Sequence, residues 1–355
     1  MSGGRVRKEW DNTKLGKVIT LQRGYDLPYR VRANGDFPVV TSTGITDTHS
    51  EYREQAPGVV TGRYGTIGEV FYIDKDYWPH NTTLFVRDFH GNDPLFVAYL
   101  LTTIDFQSHS GKSGVPGVNR NDLHALEVSI PSSVNEQEAI ASTLSDIDNL
   151  IASLDRLIAK KRDLKQATMQ QLPTGKKRLP GFQSDWQSKQ IGSLAPLQRG
   201  FDLPNSQLEK GPFPVVYSNG ILNHHVAYQA NGPGVVTGRS GTIGKVTFVT
   251  DNYWPHNTAL WVTSFKGNDP KFVFYLYTYI GFERFATGSG VPTLNRNDVH
   301  SFECFVPDHE EQTAIAQVLT DMDTELTTLQ TRRAKTQALK QAMMQELLTG
   351  RTRLV

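Results

Sequence analysis

A glycine-rich loop carrying one arginine, GRYGTIG at 62–68, is the first segment with chemical potential. Glycines let a backbone approach a partner closely, and their N–H groups can face a phosphate. Arg63 in that loop could fork onto a phosphate or onto a guanine edge. His80 and Asn81, in the motif YWPHNT at 77–82, offer donors and acceptors suited to base edges. The same residues also fit a plainer reading, a tight hairpin whose arginine pairs with a core acid, with Trp78 in the core. Conventional catalysis finds less support. The loop lacks the G-x4-G-K-[ST] spacing of a phosphate loop, and no G-x-G-x-x-G opens a βαβ unit. His80 and His124 lack neighbouring ligands at metal-site spacing, so hydrogen-bonding roles are expected of them. Cys304 is the single cysteine, which rules out an intramolecular disulfide and a multi-cysteine zinc site. No catalytic residue and no metal ligand is assigned.

These residues occur twice. PGVVTGRYGTIG (57–68) returns as PGVVTGRSGTIG (233–244), YWPHNT returns unchanged at 253–258, and GNDP (91–94) returns at 267–270. LQRG (21–24), SGVP (113–116) and NRND (119–122) return at 197–200, 289–292 and 295–298. All of these pairs are offset by 176 residues, and after Pro131 and Pro307 the offset drops to 175. So long a period means a duplicated domain, not a solenoid. Repetition also enlarges the set of candidate contacts. In the first copy they are Arg23, Ser42, Arg63, Tyr64, His80, Asn81, Lys112 and Arg120. In the second they are Arg199, Ser218, Arg239, Ser240, His256, Asn257 and Arg296. A duplicated enzyme should carry its catalytic set twice. The segment Asp26-Leu27-Pro28-Tyr29 is similar to the D-P-P-Y loop of amino-methyltransferases, but its copy reads Asp202-Leu203-Pro204-Asn205 and no cofactor-binding glycine motif accompanies either.

The elements that must position these residues follow from pattern. Short apolar runs broken by Gly, Pro and Asn, such as FPVV, PGVV, EVFYI, TTLFV and ALEVSI, read as strands. A helix is expected over 94–106, capped by Asp93, opened by Pro94 and showing Phe96, Val97, Leu100 and Ile104 on one face. The result is a mixed α+β globule of about 130 residues, written twice. After each globule the period changes. Ile140, Leu144, Ile147, Ile151, Leu154 and Ile158 form a heptad seam, and Ile315, Leu319, Met322, Leu326 and Leu329 form its counterpart. No Pro or Gly interrupts 135–172 or 310–348, and Gly175 and Gly350 follow as helix stops. The expected order is a globular domain over 1–133, a helix over 134–175, a second globular domain over 176–308 and a second helix over 309–355.

Charge suggests how the helices pair. In both, acids lead and bases follow: Glu136, Asp146 and Asp148 precede Lys160, Lys161 and Lys165, while Glu311, Asp321 and Asp323 precede Arg332, Lys335 and Lys340. Laid antiparallel, each acidic half faces a basic half; laid parallel, like charges align. An antiparallel coiled coil is therefore expected, with two helices each packed on its own domain as the alternative.

Composition bounds the function. Of the 355 residues 38% are hydrophobic and 21% charged, enough for real cores and too little charge for a disordered chain. The net charge of +1 excludes a polybasic tail protein. Residues 1–131 net −1 and residues 176–307 net +4, so a nucleic-acid reader must gather its positive charge on one face or be helped by partners. MSGGRVRKEW at the start has no apolar run of the signal-peptide kind, and no stretch approaches 18 apolar residues. A cytoplasmic protein without a membrane segment is expected.

Taken together, the twice-repeated G-R-[YS]-G-T-I-G block, the LNRND-type segment, the E-Q-x-A-I-A helix entry and the L-[LP]-T-G-[KR] exit resemble the specificity (S) subunit of type I restriction–modification systems. The resemblance spans nearly the whole chain. It implies two target-recognition domains, each reading half of a split site in double-stranded DNA, held by two antiparallel helices that act as a ruler. It implies docking of two modification (methyltransferase) subunits, with restriction subunits joining in the full complex. S-adenosylmethionine would sit on the modification subunit and ATP on the restriction subunit, so no cofactor is expected here. One departure is Pro173 in the first exit motif, expected to end that helix a turn early. A pseudo-twofold relation between such similar domains would make the target nearly palindromic, with differences traced to 29–36 against 205–212, 46–55 against 222–231, and Tyr64 against Ser240. A different class of function, a non-DNA scaffold or adaptor using the coiled coil to bind proteins, is the alternative.

Overall fold

The computed structural model describes residues 9–110, 117–288 and 290–354, and the chain falls into two compact units. The first comprises residues 1–154 with 332–355, the second residues 155–331. Each unit thus owns one globule and portions of both long helices.

In the first unit, β1 (Trp10–Lys14) is followed by the short α1 (Leu15–Val18), β2 (Thr20–Arg23), β3 (Phe37–Thr41) and β4 (Gly44–His49). Then come β5 (Gly58–Gly62), β6 (Val70–Ile73), β7 (Trp78–Pro79), β8 (Thr83–Asp88), α2 (Pro94–Thr102), α3 (Arg120–His124) and β9 (Glu127–Pro131). A four-stranded antiparallel sheet has the order β2-β8-β5-β6, and a three-stranded sheet the order β4-β3-β7, with β3 and β7 parallel. β5 is buried along its whole length, as a central strand with both faces covered should be. α2 starts as expected, with the Asp93 carboxylate accepting from the Phe96 amide at 2.7 Å. It ends at Thr102, short of Ile104, where the Thr102 and Thr103 hydroxyls turn back onto the carbonyls of Tyr99 and Leu100. β9 pairs antiparallel with β1, Trp10 opposite Pro131, and delivers the chain into α4 (Val134–Gln171).

The second unit repeats this plan. β10 (Gln187–Gln190), α5 (Ile191–Leu194), β11 (Leu197–Arg199), β12 (Phe213–Tyr217), β13 (Gly220–His225), β14 (Gly234–Gly238) and β15 (Val246–Val249) come first. β16 (Trp254–Pro255), β17 (Ala259–Val262), α6 (Pro270–Ile280), β18 (Ala286–Thr287), β19 (Thr293–Leu294), α7 (Arg296–His300), β20 (Glu303–Val306) and α8 (His309–Leu347) complete it. The sheets run β11-β17-β14-β15 and β13-β12-β16, the same orders as in the first unit.

The two long helices have 38 and 39 residues, about 57 Å each at 1.5 Å per residue. Within each unit their portions run antiparallel. In the first, Lys340 reaches Asp148 at 2.6 Å, and Arg353, just past the end of α8, grips Glu136; in the second, Lys161 reaches Glu325 at 2.7 Å and Lys165 bonds Asp323. Partner numbers fall along one helix as they rise along the other, which is the pairing expected from charge. The seam is less uniform than a plain coiled coil. Ile140 and Leu144 sink into the first globule's core together with Leu347 and Leu348, and Ile315 and Leu319 sink into the second's with Leu172. Leu154, Ile158 and Leu326 are buried further along, while Ile147, Ile151, Met322 and Leu329 are half-buried. Both packing schemes suggested by the sequence are therefore realised, each in a different stretch of helix.

The helix ends explain the flanking motifs. Glu136 is fully buried, and its carboxylate accepts from the Arg353 guanidinium and from the Trp10 indole at 3.4 Å. Glu311 is equally buried and accepts from Arg178 at 2.6 Å and from Trp186 at 3.0 Å. Buried charge is tolerated only when paired in this way. The adjoining Gln137 and Gln312 donate to the carbonyls of Pro131 and Pro307, each at 3.0 Å, tying helix entry to the preceding strand. Gly175 and Gly350 do stop the helices, at φ of 68° and 67°. Pro173 costs less than a turn. α4 ends one residue before the position matching the end of α8, and the Leu172 amide still bonds the Thr168 carbonyl at 2.9 Å.

Candidate nucleic-acid interface

The glycine loop is built by main-chain bonds. Arg63 and Tyr64 both donate their amides to the Thr82 carbonyl, at 2.8 and 3.2 Å, and the Arg63 carbonyl accepts from Val118 at 3.0 Å. Arg239, Ser240, Thr258 and Leu294 repeat this at 2.8, 3.2 and 2.8 Å. Gly62 is needed because a Cβ there would lie 1.7 Å from the Thr66 carbonyl oxygen. The arginine therefore sits on a backbone held from both sides.

Two further arginines converge on each loop. β2 carries Arg23 and α3 opens with Arg120, capped by the Asn119 side chain accepting from Asn121 at 3.0 Å. His124, at the end of α3, accepts the Leu21 amide at 2.8 Å on Nε2 and so clamps α3 to β2. His300 does the same for Leu197 at 2.8 Å. Burial, with Arg120 and Arg296 nearby, pushes both imidazoles below the usual histidine range, consistent with neutral acceptors. The outcome is an open cleft of about 530 Å³ lined by Arg23, Arg63, Tyr64, Asn119 and Arg120, and in the second unit one of about 400 Å³ lined by Arg199, Arg239, Asn295 and Arg296. Among the described residues no carboxylate lines either cleft. Three guanidiniums around a polar cleft make a receptor for phosphate oxygens or paired base-edge acceptors.

The remaining candidates lie elsewhere. Ser42 is buried beside the glycine loop, its amide donating to the Thr82 hydroxyl at 3.3 Å. Ser218 is half-buried with the same bond to Thr258. His80 and His256 are half-buried at the ends of β7 and β16, with Nδ1 at 3.2 and 3.0 Å from the hydroxyls of Thr82 and Thr258. Burial lowers both imidazoles from the usual range. None of these four lines a cleft. Asn81 and Asn257 each spend a side-chain N–H on an aspartate, Asp26 and Asp202, so only part of their hydrogen-bonding capacity is open. The Asn257 bond, with Arg199 beside it, holds the Asp202 carboxyl below the usual carboxylate range. Arg23 and Arg199 meet those same aspartates at 3.3 and 2.9 Å in exposed pairs, which water and salt weaken. Lys112 and the segment 113–116 lie outside the described residues, as does Ser289.

Sequence reasoning passed over the residues that present the arginines. Asn119 and Asn295 stand in plain view in the repeated NRND, and their capping role could have been read from an Asn just before a short helix. Gly117 against Thr293, a mismatch inside a matched block, was also legible. Among the described residues no group of His, Cys, Asp and Glu could hold a metal ion. Cys304 is buried, and burial pushes its thiol up to about 11, so it is unreactive near neutrality. No described helix is long and apolar enough to cross a membrane.

A duplicated α+β scaffold presenting the same arginine cleft twice defines a class, a two-unit protein with paired sites suited to anionic or base-edge acceptors. Comparison with known proteins makes this specific. The family model for the type I restriction modification DNA specificity domain matches residues 7–160 and again 183–340, and the chain belongs to that family. A putative type I restriction enzyme MjaX specificity subunit from Methanocaldococcus jannaschii is 26% identical over 293 residues, covering 74% of this chain and 69% of the relative. The S subunit structure from M. genitalium superposes with a TM-score of 0.72 at 16% identity, covering 98% of both chains. A structure describing complex assembly and conformational transition of the type I R-M system gives 0.58 at 14% identity, covering 98% of this chain and 99% of its own. The chain is a DNA-recognition subunit and not itself the enzyme of the system.

Proposed function

We propose that the two arginine clefts are the DNA-reading sites, each taking one half of a split, nearly palindromic target. The observation that carries this reading is the recurrence of the same three arginines, one on the glycine loop and two on the histidine-clamped β2–α3 or β11–α7 pair, in two units of one chain. Arg63 and Arg239 are assigned to base edges, because their backbones are fixed on both sides. Arg23, Arg120, Arg199 and Arg296, on exposed rims, are assigned chiefly to phosphates. Two modification subunits dock along the paired helices, and restriction subunits complete the assembly. S-adenosylmethionine and ATP are bound by those partners, and the complex works in the cytoplasm. Methylome sequencing of a host expressing this chain with its modification subunit tests the reading. A two-part, near-inverted-repeat motif is expected; absence of any motif with the complex assembled would refute it.

A further inference from the structure

The two clefts share their arginines but not the residue beside the central one. In the first unit Tyr64 is 39% exposed on the cleft rim, and the Arg63 guanidinium lies 4.3 Å from its ring centroid while donating to its hydroxyl at 3.2 Å. The ring has room only because residue 117 is glycine. Tyr64 and Gly117 form an isolated β-bridge, and a Cβ on Gly117 would fall 2.2 Å from the ring's Cε1. In the second unit the same bridge joins Ser240 to Thr293, and among the described residues the Arg239 side chain has no partner. A small residue beside the arginine goes with a larger one across the bridge, and the reverse. Two positions separated by more than 50 residues in sequence are thus coupled in each copy.

We propose that Tyr64 with Gly117, and Ser240 with Thr293, are coupled specificity-determining pairs, an inference that rests on the clefts being DNA-reading sites. A guanidinium stacked on a ring and bonded to its hydroxyl is restricted to few orientations, which suits a bidentate match to the paired acceptors of one guanine edge. A guanidinium without such a wall can swing among base edges and phosphate oxygens. The position read by Arg63 is therefore strict, and the matching position read by Arg239 is tolerant. Tyr64→Ser alone would remove the ring but leave the gap above Gly117 unfilled, so the unit of exchange is the pair.

The test uses the full chain expressed with its modification subunit in a host lacking the restriction subunit, with the methylated motif read position by position. S240Y/T293G should sharpen one position of the second half-site by roughly 5- to 100-fold, the range of one bidentate arginine–guanine contact. Y64S/G117T should relax the matching position of the first half-site by a similar factor. S240Y alone should lose methylation, since its ring meets Thr293. Assembled double variants that write the wild-type motif unchanged would overturn the proposal. Should a double variant fail to assemble, Tyr64→Phe decides, since it keeps the ring and its packing and removes only the hydroxyl acceptor. A loss of discrimination of about threefold at that one position supports the proposal, and no loss rejects it. Failure of the wild-type complex to write any two-part motif would instead strike the underlying DNA-reading assignment.

Discussion

His124 and His300 show how much of the interface rests on one uncharged atom. Each Nε2 must be unprotonated to accept a backbone amide, and that bond, with the buried Leu123 and Val299 beside Leu21 and Leu197, ties the arginine-bearing turn to its neighbouring strand. Burial acts most strongly and the adjacent Arg120 or Arg296 acts with it, so the folded imidazoles titrate below the histidine range; His90 adds to this at His124. In the unfolded chain the same groups titrate near ~6.5. Below that pH the unfolded state takes up protons that the native state refuses, so stability falls as pH drops from neutrality towards the folded values. His80 and His256 are shifted the same way and add to the slope. Thermal unfolding between pH 8 and 5, on the order of these shifts, should show a declining midpoint on the acid side. His124→Gln, which keeps an acceptor and cannot titrate, should flatten part of that decline. An equal slope in the variant would remove His124 as a contributor.

Among elements, the helix ends carry buried, paired carboxylates at Glu136 and Glu311. The stretches free of Pro and Gly, 135–172 and 310–348, match both long helices to within a residue, because tertiary packing agrees with the pattern, whereas the expected bounds 134–175 and 309–355 run past the observed ends at Gln171 and Leu347. Strands β3, β5, β6, β8 and β9 were visible as apolar runs, whereas β1 and β4 were not, since WDNTK and GITDTH carry polar residues on faces that only pairing conceals. The buried carboxylates were invisible for another reason. Glu136 looks like ordinary first-turn acid until Arg353, 217 residues away, is found gripping it. The cleft was half legible: the repeated arginines stood out, but their convergence depends on a backbone bond to a histidine that sequence cannot display. The aspartates about three turns further along the helices, Asp148 and Asp323, act as braces. Asp148 accepts from Tyr99 of α2 at 2.8 Å and from Lys340 at 2.6 Å, and Asp323 accepts from Tyr275 of α6 at 2.9 Å and from Lys165. Each brace fixes a globule on its helix pair at a polar point, where slippage along an apolar seam would otherwise be cheap. Gly350→Ala probes the same region. Its φ of 67° and a Cβ placed 2.8 Å from the Trp10 ring both oppose a side chain. The variant should lose about 1–3 kcal/mol, seen as a midpoint lower by several degrees in thermal unfolding. A wild-type midpoint would mean that Trp10 moves aside at no cost.

At the scale of the molecule, a protein with a net charge of +1 has no global attraction for DNA. Its affinity has to come from local charge, and the six cleft arginines, in groups of three with no carboxylate in the lining, are where that charge is placed. Binding through phosphates releases counterions, so log affinity falls with log salt by nearly one for each phosphate neutralised. Substituting Arg120 or Arg296 by Ala, both on exposed helix starts, should weaken binding of the assembled complex to every sequence alike and reduce the salt slope by about 1 each. Substituting Arg63 or Arg239 should act differently, costing about 1–3 kcal/mol on the cognate site and little on unrelated DNA. Filter or gel-shift titrations over several salt concentrations, with the modification subunit present, separate the two behaviours. If all four substitutions shift the slope and leave discrimination intact, the clefts hold the backbone only, and the bases are read by the divergent segments 29–36, 46–55, 205–212 and 222–231. If none alters either quantity, an adaptor surface for other proteins becomes the better account of two arginine clefts on one chain.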